Sequence, residues 1–269
     1  MIGAGERAYA YTKACGIIGK SFVGRRAAGL HSINSLSELE RLVFDTGETP
    51  ELSGLEQRLL KRTVAAVISV LNSYRKPPEL LTLIRDYEYD DLKTGMDHSY
   101  YTKLWQSLKK LKQSDRRTAE RIIAEEIALR NCAWALRLRT YYDMPAGEAR
   151  QHLVIIKNAA RLSGDALKAL DFSLDVPGDW EKWNRRKFLN PFDHNRNAPW
   201  RVDPRYFQNA AAKYLYAMAL RNFRVRPFSH DAIFCFIKLK QFEEDLLTSK
   251  IEGLNMGLSG KDALTEAAL

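Results

Sequence analysis

Long apolar runs are missing from this sequence. Nowhere in its 269 residues is there a stretch near the roughly 18 to 20 uninterrupted apolar side chains that a membrane-spanning helix requires. The segment from Met1 to Lys20 carries Glu6 early and lacks a cationic start followed by an apolar run, so no secretory signal is read there and a cytoplasmic location is expected. Cysteine is scarce: Cys15, Cys132 and Cys235 are far apart and odd in number, with no Cys-x-x-Cys spacing. That pattern reads as reduced core thiols rather than a disulfide framework or a zinc site. His31, His98, His152, His194 and His230 supply no pair at ligand spacing on one helix. A Gly-x-x-x-x-Gly-Lys-Ser/Thr loop is absent, which removes nucleotide hydrolysis of that type. Strand signals are few. Only Phe223, Val225 and the residues around Pro227 alternate, too briefly to carry a sheet. No catalytic, cofactor-binding or metal-ligating residue is expected.

What is present is the composition of a folded helical protein. Hydrophobic residues make up 45% and charged residues 28% of the chain, more than a disordered segment would bury. Forty-two basic residues against thirty-three acidic ones leave a net charge of +9, which favours an acidic partner surface. Helix periodicity dominates. Tyr101, Leu104, Trp105, Leu108 and Leu111 recur at spacings of three and four, and Ala119, Ile123, Ile127, Trp134 and Leu138 form a second stripe. Pro77 and Pro78 fit the first turn of a helix running to about Thr94, with Glu79 favourable near its start. The stretch from Val176 to Pro204 holds four further prolines or glycines and Trp180, Trp183 and Trp200; three tryptophans predict an ordered, packed excursion rather than a linker.

Breaks at Asp45 to Pro50, Gly95 to Asp97, Asp143 to Gly147 and Val176 to Pro204 predict three helical blocks, 1–96, 97–175 and 176–269. Each has a long helix whose apolar face is interrupted by a polar residue. Leu80, Ile84 and Tyr87 lead to Asp91; Asn131 lies between Ile127 and Trp134; Glu243 lies between Leu239 and Leu247. A buried amide or carboxylate left unsatisfied costs about 1 to 3 kcal/mol, so each needs partners. Three such interruptions suggest a repeated unit with a repeated internal contact.

Those helices carry a resemblance. "LIRDYEYDDLKT" (Leu83 to Thr94), "EEIALRNCAWALRLRTYY" (Glu125 to Tyr142) and "FCFIKLKQFEEDLLTSKIEGL" (Phe234 to Leu254) resemble the three repeated helix motifs of the V/A-type ATPase central-stalk subunit, the C or AC39 (subunit d) family. "ERAYAYTKACGIIGKSFVG" (Glu6 to Gly24) is similar to the family's first helix. In the motifs, Glu243 aligns with Glu88, while the second has Ala128 there; Asp91 and Asn131 align with Leu246, a departure from the family's usual Asn. The resemblance implies an all-α fold of three similar helical domains in a pseudo-threefold arrangement that forms a funnel. It implies a non-catalytic coupling subunit that seats the central rotor shaft, built of D- and F-type subunits, on the membrane c-ring. Such a protein is a monomer within a hetero-oligomeric complex, peripheral to the membrane, and binds no nucleotide and no nucleic acid. The choice of H⁺ or Na⁺ for ion transport is then made in the ring.

The basic clusters are candidates for the contact surface: Arg25 and Arg26; Lys109, Lys110 and Lys112 with Arg116 and Arg117; Arg185 and Arg186 with Lys187; and Arg221, Arg224 and Arg226. Two readings from other classes compete. A basic helical nucleic-acid-binding protein would use arginines beside aromatics, as at Trp183 to Arg186 and Tyr206, although no helix-turn-helix or RNA-recognition signature accompanies them. A Mg²⁺-dependent helical diphosphate enzyme would use Asp90, Asp91 and Asp97 or Glu243, Glu244 and Asp245; Thr94 stands where its third ligand on the helix face belongs.

Overall fold

The computed structural model describes residues 2–45, 52–85, 96–191 and 199–259, and no strand occurs among them. The helices are α1 (Ile2–Lys20), α2 (Leu36–Phe44), α3 (Leu55–Leu71), α4 (Glu79–Arg85), α5 (Met96–Leu108), α6 (Gln113–Tyr141), α7 (Ala146–Ala149), α8 (Gly164–Asp171), α9 (Pro177–Glu181), α10 (Pro204–Val225) and α11 (His230–Asn255), with short 3₁₀ segments between them. The fold is all-α, as the 3.6-residue periodicity predicts. Helix ends follow local chemistry. Ser35 and Ser229 accept the Glu38 and Ala232 amides at 3.2 Å at the starts of α2 and α11. Asp203 stands before Pro204 and accepts the Arg205 amide at 2.9 Å at the start of α10. Pro78 precedes α4, which the structure describes as far as Arg85; Thr94 lies outside the described residues.

Two compact units emerge from the backbone contacts. One comprises Met1–Asp86, Leu111–Ala119 and Tyr216–Leu269; the other comprises Tyr87–Lys110 and Glu120–Leu215. The third sequence block, 176–269, therefore contributes to both.

In the first unit α11 is the central element, with α1, α2, α3 and α4 packed against it. The unbroken apolar run from Ala232 to Ile237 accounts for its position: a helix apolar on all sides is stable only when surrounded. Every residue from Asp231 to Lys240 is buried. Phe22, Leu30, Leu39, Val43, Leu55 and Leu59 close a core against Leu246, Leu247 and Ile251 on the second half of the same helix. At these sites the third motif's departure is itself core, since Leu246 is buried.

In the second unit the C-terminal part of α6 lends Leu129, Cys132, Ala135, Leu136 and Leu138 to a core completed by α8, Phe188, Phe207 and the tryptophans. Trp180 and Trp183 are buried edge-to-face at 5.2 Å, and their indole N–H groups donate to the Ser173 carbonyl at 2.7 Å and the Asp165 carbonyl at 2.9 Å. Trp200 packs against the same cluster. The proline-rich excursion is thus a wall of this core. The described parts of it are ordered by their aromatics.

Candidate functional site

Two buried polar side chains on long helices grip the backbone of another segment. On α11, Glu243 is 1% exposed, and its Oε1 accepts the Phe22 amide at 2.7 Å. Phe22 follows the end of α1, where a buried N–H without an acceptor would destabilise the fold. Lys240 Nζ donates to Glu243 Oε2 one turn away, and to Ser21 Oγ at 3.2 Å; Arg62 of α3 stands 3.7 Å from Oε1. Burial pushes the Lys240 ammonium pKa below its ordinary value, with the Glu243 carboxylate opposing that shift. Removing one member of such a pair strands the other charge, at a cost of about 3 to 5 kcal/mol.

On α6, Asn131 is equally buried and fully used. Its Oδ1 accepts the Val154 amide at 2.7 Å, and its Nδ2 donates to the Val154 carbonyl at 2.9 Å and the Leu162 carbonyl at 3.1 Å. One carboxamide therefore ties both ends of the 154–162 loop, within which Asn158 takes a left-handed φ of 64°. A third buried group, Asp231, begins α11: it accepts the Ala119 amide at 3.4 Å and stands 3.5 Å from Arg226. Burial pushes its carboxyl pKa up; bonds from Thr118 and Ala119 and the Arg226 charge pull it back. Glu88 and Asp91, the polar positions expected in the first block, lie outside the described residues.

The basic clusters differ in how far their side chains are buried. Arg185 is held inside its unit by Glu125 at 2.6 Å and Asp165 at 2.7 Å. Trp183 beside it is buried, so this pair does not present a stacking platform to nucleic acid. Arg186 and Arg117 are exposed and Arg116 half-buried. Arg25 and Arg26 are exposed on the 3₁₀ segment Gly24–Ser32, which is fixed at both ends. At one end the Gly24 amide donates to the Tyr216 hydroxyl at 2.5 Å, with Gly24 at a φ of 63° that suits glycine. At the other end Leu30 enters the core. Arg26 lies 5.2 Å from the centre of the Phe22 ring, and neither arginine has a carboxylate partner among the described residues.

No cluster of the kind a metal centre needs occurs among the described residues, and Glu243 is committed to Lys240 and the Phe22 amide. Its neighbour Glu244 behaves differently. Burial, then the adjacent Asp245 charge, pushes its carboxyl pKa up to about 7, against a Thr63 hydrogen bond and the Lys240 charge. Sequence reasoning found Asn131 and Glu243 from their interruption of apolar stripes. It missed Lys240 on α11, for which the three-residue spacing to Glu243 was the available signal, and it named Glu244 only as a candidate Mg²⁺ ligand beside Glu243 and Asp245. Arg62, Glu125 and Asp165 come from distant parts of the chain and had none.

A family model described as ATP synthase (C/AC39) subunit matches residues 27–263 of the chain. The chain is also similar to an uncharacterized protein of Treponema pallidum (strain Nichols), 24% identical over 318 residues, covering 93% of this chain and 92% of that protein. No solved structure matches.

Asn131→Leu should destabilise the protein by about 3 kcal/mol, because three buried backbone groups lose their partner. Urea unfolding measures this, and an unchanged midpoint would show that the loop finds other partners at no cost. For Glu244, the folded state holds a proton more tightly than the unfolded chain. This contribution to stability is complete below about pH 4.5 and is lost as pH rises through about 7. Glu244→Gln should therefore gain about 1 kcal/mol on wild type by about pH 8, after allowance for solvent screening, and little at about pH 5. A wild-type-to-variant difference that is constant across this window would contradict the raised pKa.

Proposed function

The chain belongs to the ATP synthase (C/AC39) subunit family, and we propose that it is the coupling subunit of a rotary V/A-type ATPase, seating the central shaft on the membrane c-ring. The observation that carries this reading is the family match over residues 27–263, a span that includes all three helix motifs complete and in their expected order. On this reading the D- and F-type shaft subunits and the ring are its partners, and torque passes through it between ATP chemistry and ion transport. The division into three similar helical domains, 1–96, 97–175 and 176–269, in a pseudo-threefold funnel belongs to the same proposal, as do Glu88 as the first block's counterpart of Glu243 and Asp91 as its counterpart of Asn131.

The physical demands of that role agree with what the residues do. A torque adapter needs stiffness, and helices with tightly packed interiors resist deformation. It needs surfaces complementary to its neighbours, and a net charge of +9 with Arg25 and Arg26 held on an anchored segment supplies attraction to acidic ones. It needs no reactive group. No described helix is long and apolar enough to cross a membrane, so in this proposal the subunit meets the membrane through the ring.

The test is reconstitution. Purified full-length protein mixed with the cognate D- and F-type subunits should co-elute with them on size exclusion, and should hydrolyse no ATP by itself. Separate elution of chain and shaft at micromolar concentration, with no capture by the detergent-solubilised ring, would remove the coupling role.

A further inference from the structure

α3 is held in the first unit by one side. Gln57, Leu60, Lys61 and Ile68 are exposed along its outer side, while Leu59, Thr63 and Val67 are buried along its inner side. α11, α1 and α4 pack against the helix. Gly54 begins it at a φ of 63° without a side-chain cap, so its first amides have no such restraint against fraying.

Two consecutive residues of α3 meet two consecutive carboxylates of α11, and the two meetings differ. Arg62 stands 3.7 Å from Glu243, whose other oxygen accepts from Lys240. Glu244 meets the buried hydroxyl of Thr63, a neutral group. Lys240 lies one turn before Glu244, but its ammonium donates to Glu243 and to Ser21 beyond the end of α1. Its pull on Glu244 is smaller than the push of the adjacent Asp245 charge. Among the described residues no charge on α1, α2 or α4 acts on Glu244, and Glu40 of α2 is closed onto Arg58 of α3 at 2.8 Å.

We propose that Glu244 is a proton-dependent latch between α3 and α11, closed while its carboxyl is protonated and loosened when it ionises beside Asp245. A hydroxyl serves either state, accepting from a protonated carboxyl and donating to an ionised one. The difference lies in the charge. Protonated, Glu244 is a neutral group in a half-buried contact with a neutral partner. Ionised, it is a carboxylate beside a like charge with no ion pair among the described residues, and water reaches it fully only when α3 gives way. Glu243, held by Lys240 and by the Phe22 amide, keeps the end of α1 joined to α11 in either state. The release is therefore confined to α3, and local opening of one segment costs less than unfolding the whole.

Protons grade this attachment near neutrality. Burial and then Asp245 push the Glu244 carboxyl pKa up to about 7, so the latch contributes fully below about pH 4.5 and is lost as pH rises through about 7. The device stands apart from the coupling role and does not depend on it.

Hydrogen–deuterium exchange on the full-length protein, with intrinsic exchange rates divided out, is the test. Between about pH 6 and about pH 8 the α3 amides of wild type should lose about tenfold in protection, while α11 from Asp231 to Lys240 keeps its own. Glu244→Gln keeps a neutral group against Thr63 and should hold the protection of α3 constant. Asp245→Asn leaves Glu244 in place without its like charge and should lose less than wild type. Equal losses in wild type and Glu244→Gln would overturn the latch, as would protection of α3 in wild type that does not change with pH. A loss shared equally by α3 and α11 would overturn it by showing that the unit opens as a whole. An Asp245→Asn loss as large as that of wild type would overturn it too, because the releasing charge would not be the one beside Glu244.

Discussion

An amide that leaves a helix inside a packed protein must find an acceptor, and the acceptor then dictates where the chain goes next. In the first unit that amide belongs to Phe22 and the acceptor is Glu243. The contact joins the end of α1 to the middle of α11, two elements separated by most of the sequence. Once it forms, Phe22 enters the core, Gly24 turns, and the Arg25–Arg26 segment is stretched between Tyr216 and Leu30. Asn131 does the corresponding work in the second unit, drawing both ends of one loop onto α6. In each case an apolar helix face gives up one position to a polar group that holds another segment in register.

A carboxylate in that role brings an electrostatic demand that a carboxamide does not. Asn131 satisfies its partners while neutral. Glu243 carries charge into the interior and is stable there only because Lys240, Arg62 and the Phe22 amide surround it. The Lys240 ammonium is in turn tolerated because Glu243 offsets its burial. Interchanging hydrophobic residues at these positions would keep the core apolar but lose the information that sets α1 and α3 against α11. The half-buried Glu244 shows the contrasting case: with a like charge beside it at Asp245, it holds its proton to near neutrality.

The consequence is a protein whose buried polar groups serve its construction. Its internal carboxylates grip backbone amides and basic side chains. Arg25, Arg26, Arg221 and Arg224 are exposed and have no carboxylate partner among the described residues, and Arg25 and Arg26 stand on a segment anchored by Leu30 and by the Gly24–Tyr216 contact. Fixed geometry reduces the ordering cost of association. That agrees with the coupling role proposed above.

The sequence by itself determined the helical class, the order of the motifs, the packed character of the tryptophan-rich stretch and the unusual standing of Asn131 and Glu243. These are local or periodic properties: a polar residue in an apolar stripe is visible because the stripe repeats every 3.6 residues. Only the tertiary structure decided which amides those side chains accept, that Arg185 closes an ion pair with Glu125 and Asp165, and that α11 is surrounded on every side from Asp231 to Lys240. It also decided that Phe228 is left in the open. Partners that lie tens to hundreds of residues apart leave no periodic trace in the chain, because only packing brings them together. The exposure of an aromatic ring depends on what does not cover it, and a linear sequence does not contain that information.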